Sequence, residues 1–182
     1  MKFKKKEPII FLVAGKARSG KSTVGSIINN KYMSDGKKVI TSPITKYLKK
    51  YIEEITGNVI DENNKPRELL QKISSDVIKK ELGMNDFFIN RMIEDIKIYS
   101  YFFDVIIIPD VRFKEEIDIV KNNFNKVISI GVKRINYESD LTKEEKNDIT
   151  EISLDNYDEY DYTIINDNSD LNKEVIKILN NL

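Results

Sequence analysis

The stretch "FLVAGKARSGKSTVGSII", residues 11–28, contains the most informative motif of this chain. It begins as an apolar run typical of a buried strand and changes abruptly into glycines, a lysine and hydroxyl residues. Gly15, Gly20, Lys21 and Ser22 fit the spacing G-x-x-x-x-G-K-[ST], in which backbone N–H groups surround phosphate oxygens. A segment compatible with a helix follows the motif. The stretch therefore predicts a loop that binds the phosphates of a nucleoside triphosphate.

The residues of this loop have distinct predicted roles. Backbone N–H groups and the positive end of the following helix are expected to bind the β-phosphate. We expect Lys21 to bridge the β- and γ-phosphates, Ser22 to ligate Mg²⁺, and Thr23 to approach the α-phosphate. The structural alternative is a glycine-rich turn with a surface lysine. The predicted nucleotide-binding residues are Gly15, Lys16, Ala17, Arg18, Ser19, Gly20, Lys21, Ser22 and Thr23.

The composition narrows the class of protein. A chain of 182 residues, 40% hydrophobic and 33% charged, is long enough for one well-filled core. Lys+Arg and Asp+Glu both number 30, so no global basic charge predicts a nucleic-acid partner. No apolar run is long enough to span a membrane. Cysteine and histidine are absent, which excludes disulfides, thiolate metal sites and histidine bases and suits a cytoplasmic location.

Short apolar runs alternate with longer amphipathic stretches along the chain. Strands are predicted at 9–14, 38–41, 105–108, 127–132 and 162–165, and helices at 21–30, 44–55, 66–82, 86–99, 114–122 and 171–180. Such alternation predicts an α/β fold of three layers, α/β/α, with a parallel sheet. We expect a single domain, 1–182, with a helical insertion at about 43–100 and a lid-like insertion at about 133–153.

A second motif, "DVIIIPDVRFKEE" at residues 104–116, is interpreted as another buried strand. Asp110 is predicted just beyond its end, where a carboxylate can hold a metal ion or its water. The alternative is that Asp110 caps the following helix. Arg112 provides a guanidinium fork suited to phosphate oxygens, and its alternative is a surface ion pair with Glu115 or Glu116.

Three stretches together resemble one family. "GKARSGKST", "KPRELLQKISSDVIKKELGMNDFFINRMIEDI" and "VIIIPDVRFKEEIDIV" are similar, in order and spacing, to the phage-type deoxynucleoside monophosphate kinases of the P-loop kinase superfamily. The similarity continues through "DITEISLDNYDEYDYTIIND" and covers nearly the whole chain. GTPases are disfavoured, because "NKPR" at residues 64–67 lacks the aspartate of the guanine motif N-K-x-D.

The resemblance implies a P-loop nucleotide kinase fold with five parallel strands. It also implies transfer of the γ-phosphoryl group of ATP, with Mg²⁺, to a deoxynucleoside monophosphate. Lys21, Asp110, Arg91 and Arg112 then become the predicted catalytic residues, with Ser22 and Asp110 at the metal. The predicted substrate-binding residues are Arg67, Gln71, Arg91, Arg112, Arg134 and Glu151.

Several interpretations stay open at this point. Gln71 has the alternative of a solvated helix residue, and Arg91 that of the exposed end of a core helix anchored by Phe87 and Phe88. The family often has a histidine and a serine before the glutamate equivalent to Glu151, whereas this chain has "DIT", which keeps a hydroxyl only at Thr150. That departure leaves the role of the lid segment and the choice of nucleobase open.

The stretch "LDNYDEYDY", residues 154–162, is interpreted as the entry to the last strand rather than a metal site. Tyr160 and Tyr162 are predicted to pack, and the aspartates to be solvated.

Two other functions are considered: a P-loop kinase of another small phosphorylated acceptor, such as phosphomevalonate or dephospho-coenzyme A, and a nucleotide-binding protein without turnover. A homodimer is left open.

Overall fold

A computed structural model describes residues 4–60, 66–137, 142, 146–168 and 170–182, without the side chain of Arg67. Its strands are β1 (Ile9–Ala14), β2 (Val39–Thr41), β3 (Val105–Val111), β4 (Val127–Arg134) and β5 (Tyr162–Asn166). They form one sheet in the order β2-β3-β1-β4-β5, and every neighbouring pair is parallel. The predicted five-stranded parallel sheet is confirmed.

Helices fill the connections between the strands. They are α1 (Lys21–Ser34), α2 (Lys46–Thr56), α3 (Arg67–Gln71), α4 (Phe87–Tyr99), α5 (Lys114–Asn123), α6 (Ile149–Ile152) and α7 (Leu171–Leu179). No helix in the described ranges is long and apolar enough to cross a membrane.

The single helix predicted over 66–82 is divided in the structure. After α3 the chain continues as a π-helical segment, Lys72–Glu81. The N–H group of Leu82 donates to the carbonyl oxygen of Val77, five residues earlier, at 2.9 Å. Ile73 and Ile78, also five residues apart, are half-buried and buried respectively. The wider turn thus suits the apolar spacing here, which a 3.6-residue pattern does not capture.

The chain forms two compact units. One contains Met1–Pro43 and Asp95–Leu182, and the other contains Ile44–Glu94. The first includes the whole sheet, with a buried core that comprises Phe11, Val13, Val24, Ile28, Val105, Ile107, Ile130, Val132, Ile164, Val175 and Leu179. The second is helical, with a small core of Leu48, Ile52, Ile60 and Leu70, against which Leu69, Ile73 and Phe88 pack.

The topology creates a crevice at one edge of the sheet. The connection through α1 leads from β1 towards β2, whereas α5 leads from β3 to β4, in the opposite direction along the sheet. Right-handed crossovers in opposite directions put α1 and α5 on opposite faces, with α7 packed beside α1. The carboxyl ends of the adjacent strands β1 and β3 therefore border the crevice in which such folds bind ligands.

β3 extends further than the sequence predicts. Leu12 pairs with Ile108 but Ala14 pairs with Val111, so β3 contains one residue more than β1 over this interval. Pro109 lies there, and because proline has no N–H group it is tolerated in a strand at such an irregularity. Asp110 is consequently a residue of β3 and does not lie beyond its end, as predicted.

Candidate active site

Residues 15–22, here called the phosphate loop, join β1 to α1 and depend on two glycines. A Cβ atom at Gly15, whose φ is 143°, would lie 2.4 Å from the carbonyl oxygen of Val132. A Cβ at Gly20, with φ 107°, would lie 2.8 Å from Nδ2 of Asn166. The two motif glycines are thus required by backbone conformation and by close approach of neighbouring strands.

Lys21 lies against the phosphate loop at the start of α1. Its side-chain ammonium donates hydrogen bonds to the carbonyl oxygens of Gly15, at 2.7 Å, and Lys16. The residue is only 7% exposed, so its charge is concentrated at the loop. Ser22 and Thr23 follow in the first turn of the helix and are exposed. The arrangement therefore brings an ammonium group, two hydroxyls and the positive end of α1 together.

Two side chains, at the carboxyl ends of β4 and β5, form hydrogen bonds with the phosphate loop. Asn166, the buried last residue of β5, donates from Nδ2 to the carbonyl oxygen of Ser19 at 2.8 Å. Arg134, the last residue of β4, donates from Nη1 to the carbonyl oxygen of Arg18 at 3.1 Å and from Nη2 to Oδ1 of Asn168 at 2.7 Å. Arg18 has a φ of 58°, a conformation that costs a non-glycine residue about 1–2 kcal/mol.

These contacts involve Arg134, a predicted substrate-binding residue, and Asn166. The role of Arg134 in substrate binding stays a prediction, but its hydrogen bonds to Arg18 and Asn168 give it a part in holding the loop. Its guanidinium also lies 4.0 Å from the centre of the Tyr137 ring. Asn166 was not predicted. The only signal in the sequence is its place at the end of the last apolar run, "TIIN".

Ser19 contributes a buried hydroxyl to the inner side of the loop. Its Oγ atom has no hydrogen-bond partner among the described residues. It would be 2.9 Å from a Cβ atom at Gly15, which puts it across the loop from that glycine. Buried polar groups in folded proteins are normally paired, so this hydroxyl is a potential donor for a bound anion.

Arg112 follows directly after β3, at the crevice. Its Nη1 atom donates to Oε1 of Glu151 at 2.7 Å, and the side chains of Arg112 and Glu151 are 24% and 11% exposed. The alternative of an ion pair with Glu115 or Glu116 does not hold, since the guanidinium pairs with Glu151. Glu116 instead accepts the backbone N–H groups of Arg112 and Phe113. That contact begins α5, whose N-cap is Phe113.

Glu151 connects Arg112 to the phosphate loop. Its second carboxylate oxygen, Oε2, accepts the backbone N–H group of Ala17 at 2.7 Å. One carboxylate therefore lies between the guanidinium and the loop, although the residues are distant in sequence. The predicted direct contact of Glu151 with substrate stays a prediction, and the contacts that the structure gives it are with the protein itself.

The short helix α6 presents Glu151. Asp148 caps it, because its side chain accepts hydrogen bonds from the backbone N–H and the hydroxyl of Thr150. The hydroxyl kept at Thr150 is thus used inside the cap. Ser153 donates its hydroxyl to the carbonyl oxygen of Arg112, and Asp155 pairs with Lys16 at 2.7 Å. Residues 148–155 consequently contact both the end of β3 and the loop.

Ser22 and Asp110 are the residues predicted to hold Mg²⁺. The hydroxyl of Ser22 is exposed and Asp110 is half-buried at the end of β3. Both offer the hard oxygen ligands that Mg²⁺ prefers, and this ion commonly takes few protein ligands besides water and phosphate oxygens. The donor types fit the ion. No cluster of three or more Asp or Glu side chains that could hold a metal occurs in the part of the chain described.

The other predicted substrate residues belong to the helical unit. Arg91 is exposed on α4, with its guanidinium 5.1 Å from the centre of the Phe87 ring and 5.9 Å from that of Tyr47. Such cation–π contacts orient an arginine without neutralising it. Gln71 is exposed at the end of α3. Arg67 begins α3, but its side chain lies outside the described residues.

The acidic and aromatic stretch at 154–162 supports the sheet. The ring of Tyr160 packs on Gly131, where a Cβ atom would lie 2.5 Å away, and burial, with a smaller effect from Tyr157, raises the pKa of Tyr160 to about 12. Asp161 was predicted to be solvated, but in the structure it also makes contacts within the protein. Its Oδ2 atom accepts the N–H and hydroxyl of Ser129, both at 2.7 Å, and pairs with Lys121 at 2.9 Å.

Comparison with known proteins identifies the fold. The sequence matches no protein-family model and no curated protein. The structure is similar to the APS kinase CysC of Mycobacterium tuberculosis in complex with AMPPNP and APS, with a TM-score of 0.61 and 8% identity over 96% of this chain and 97% of that one. The fold of this chain is therefore similar to that of an APS kinase.

Shikimate kinases give the same result. The enzyme of Bacteroides thetaiotaomicron superposes with a TM-score of 0.52 and 13% identity, over 95% of this chain and 97% of that one. For the shikimate kinase of Acinetobacter baumannii, in complex with shikimate, the values are 0.50 and 14%, over 96% and 92%. The three-layer α/β/α fold predicted from the sequence is confirmed.

Proposed function

We propose that this protein transfers the γ-phosphoryl group of ATP to a (deoxy)nucleoside monophosphate and forms the diphosphate. The observation that carries the proposal is the pairing of Arg112 with the phosphate loop through the shared carboxylate of Glu151. Transfer between two phosphates requires two anions to meet, and a second cation beside the loop, with guanidinium donors left to bind phosphate oxygens, helps to hold them together. A loop that only binds nucleotide has no need of that second cation.

The residues divide the work of the proposed reaction. Lys21 and the N-terminus of α1 would bind the donor phosphates, and Arg112 would hold the phosphoryl group or the acceptor phosphate at the crevice. When bound, Mg²⁺ would offset charge on the donor phosphates near Ser22 and Asp110. The acceptor oxygen is a phosphate oxygen that is ionised at neutral pH, so the reaction needs no general base. The absence of histidine from the chain is therefore compatible with catalysis.

The acceptor class rests on the sequence motifs around α3 and α4. Arg91 is exposed and oriented by aromatic rings, as a phosphate ligand of the acceptor would need to be. Gln71, exposed at the end of α3, is the proposed contact to the nucleobase, and Arg67 is proposed as a further substrate-binding residue. The APS kinase neighbour, solved with AMPPNP, supports ATP as the donor. We place the reaction in the cytoplasm, without nucleic acid or membrane as a partner.

The test is ADP formation from Mg-ATP with a panel of deoxy- and ribonucleoside monophosphates, phosphomevalonate, dephospho-coenzyme A, APS and shikimate. Turnover with one or more monophosphates is expected. Lys21→Ala should lower it by about 100-fold or more, whereas Lys177→Ala, at an exposed position on α7, should leave it unchanged. Turnover with another acceptor alone would mean that this acceptor, and not a nucleoside monophosphate, is the substrate. ATP binding without any turnover would contradict the proposal that the protein is an enzyme. Sedimentation of the same preparation decides between monomer and homodimer.

A further inference from the structure

The side chain of Glu151 is held in place by contacts within the protein. Oε1 accepts from Arg112 and Oε2 accepts from the N–H of Ala17, both at 2.7 Å. Each is a charge-assisted hydrogen bond, the short and strong class. The side chain is 11% exposed. Both oxygens are therefore engaged within the protein.

Arg112 is oriented by these contacts and still has donors to offer. Its Nη1 atom makes both side-chain contacts, one to Glu151 and a long one, 3.5 Å, to the carbonyl oxygen of Thr150. A guanidinium has five N–H donors. Among the described residues, nothing else accepts from Nε or Nη2 of Arg112. The edge formed by these two nitrogens matches two oxygens of one phosphate.

The backbone of Arg112 is fixed as well. Its N–H group donates to Glu116 and its carbonyl oxygen accepts from Ser153. Both α5 and the end of α6 thus hold the backbone of Arg112. Just after α6, Asp155 pairs with Lys16 of the phosphate loop. The rotamer of the side chain is then selected by Glu151. An arginine left to rotate would lose side-chain entropy each time it bound a phosphate.

We propose that Glu151 is a positioning residue that acts through Arg112. Its carboxylate holds Nη1 through Oε1 so that the Nε–Nη2 edge meets phosphoryl oxygens, and it fixes the phosphate loop at Ala17 through Oε2. The inference rests on the proposed phosphoryl transfer. This positioning role takes the place of the direct substrate contact predicted from the sequence. A carboxylate in direct contact with phosphates would repel them, whereas the charge of Glu151 is balanced by Arg112.

Kinetics separate this role from a structural one. Glu151→Gln keeps an oxygen for Ala17 but loses the charge that holds Arg112. We expect kcat to fall by about 10- to 100-fold, with little change in the KM for ATP or in the melting temperature, and Glu151→Asp to restore part of the rate. Glu115→Gln, an exposed neighbour on α5, is the matched control and should behave as wild type.

A double-mutant cycle identifies the partner. If Glu151 acts through Arg112, Glu151→Gln should cost little more once Arg112→Lys has been made. Rate losses that multiply independently would overturn the inference. So would tighter Mg-ATP binding by Glu151→Gln, since that would mean that the carboxylate occupies a phosphate subsite.

A measurement without turnover keeps this test distinct from the test of the function. The arginines are Arg18, Arg67, Arg91, Arg112 and Arg134, so ¹⁵N-arginine labelling gives few side-chain signals, and Arg112→Lys assigns one of them. The Nη signals of Arg112 should be resolved in the wild type and averaged in Glu151→Gln, and its Nε signal should shift with Mg-AMPPNP and a nucleoside monophosphate only when Glu151 is present. Identical spectra in both proteins would overturn the inference. A wild type that is inactive with every acceptor would overturn only the proposed function.

Discussion

The side-chain amide of Asn166 donates a 2.8 Å hydrogen bond to the carbonyl oxygen of Ser19, and both residues are buried. This contact joins the end of β5 to the middle of the phosphate loop, 147 residues earlier in the chain. The last strand of the sheet thereby fixes the first loop.

Replacing Asn166 by alanine should therefore affect both stability and nucleotide binding. The carbonyl oxygen of Ser19 would lose its partner in a buried place, which costs about 1–3 kcal/mol. Urea denaturation and titration with Mg-ATP measure the two effects. Asn30→Ala, an exposed change on α1, is the control and should leave both within error. Unchanged ATP affinity in Asn166→Ala would mean that the loop does not need this support.

Gly20→Ala tests the close approach at the start of α1. The new Cβ would lie 2.8 Å from Nδ2 of Asn166, in a backbone with φ 107°. We expect a loss of about 2–3 kcal/mol in the free energy of unfolding and weaker binding of Mg-ATP. Gly36→Ala separates strain from crowding, because Gly36 also has a positive φ, 74°, but a Cβ added there would meet no atom within 4 Å. That control should lose about 1 kcal/mol and bind nucleotide normally. Equal losses in the two variants would argue against crowding.

Asp161 should make stability depend on acid pH. Burial by itself raises the pKa of Asp161, but the hydrogen bonds from Ser129 and the contact with Lys121 outweigh it and leave that pKa below its ordinary value. Such a carboxylate stabilises the fold at pH values above its ordinary pKa, and this contribution is lost as the pH falls through the folded-state pKa.

The matched variants are Asp161→Asn and Asp158→Asn. Between about pH 5 and pH 3, the free energy of unfolding should fall less steeply in Asp161→Asn than in the wild type. Asp158 is exposed, and its variant should follow the wild-type curve. Urea denaturation at a series of pH values measures the slopes, and parallel curves for all three proteins would refute a role for Asp161.

The central strands β1 and β3 were predictable because they are buried on both faces over most of their length. β1 is an unbroken apolar run, and the predicted bounds 9–14 are those observed. β3 was predicted too short, because Pro109 and Asp110 look like a strand end and the pairing irregularity that accommodates them leaves no mark in the sequence. Periodicity also fails at α6, which has only four residues, and in Lys72–Glu81, where the helical spacing itself changes.

The candidate site was predicted only where motifs define it. The phosphate loop and Arg112 follow from residue spacing, whereas the partner of Arg112 does not. Glu115 and Glu116 are near in sequence and were the alternative partners considered for Arg112, but Glu151 lies 39 residues away and reaches the guanidinium through the fold. Asn166 was missed for the same reason. Long-range pairing is decided by strand order, which local pattern does not encode.

The most direct test of the central claim is to follow the transferred phosphoryl group by ³¹P NMR, with the protein, Mg-ATP and the preferred nucleoside monophosphate. We expect the γ-phosphate signal of ATP to be replaced by the β-phosphate signal of a new nucleoside diphosphate, without a matching rise in inorganic phosphate, and Lys21→Ala to abolish the exchange. Release of inorganic phosphate alone, or an unchanged spectrum with nucleotide bound, would contradict it.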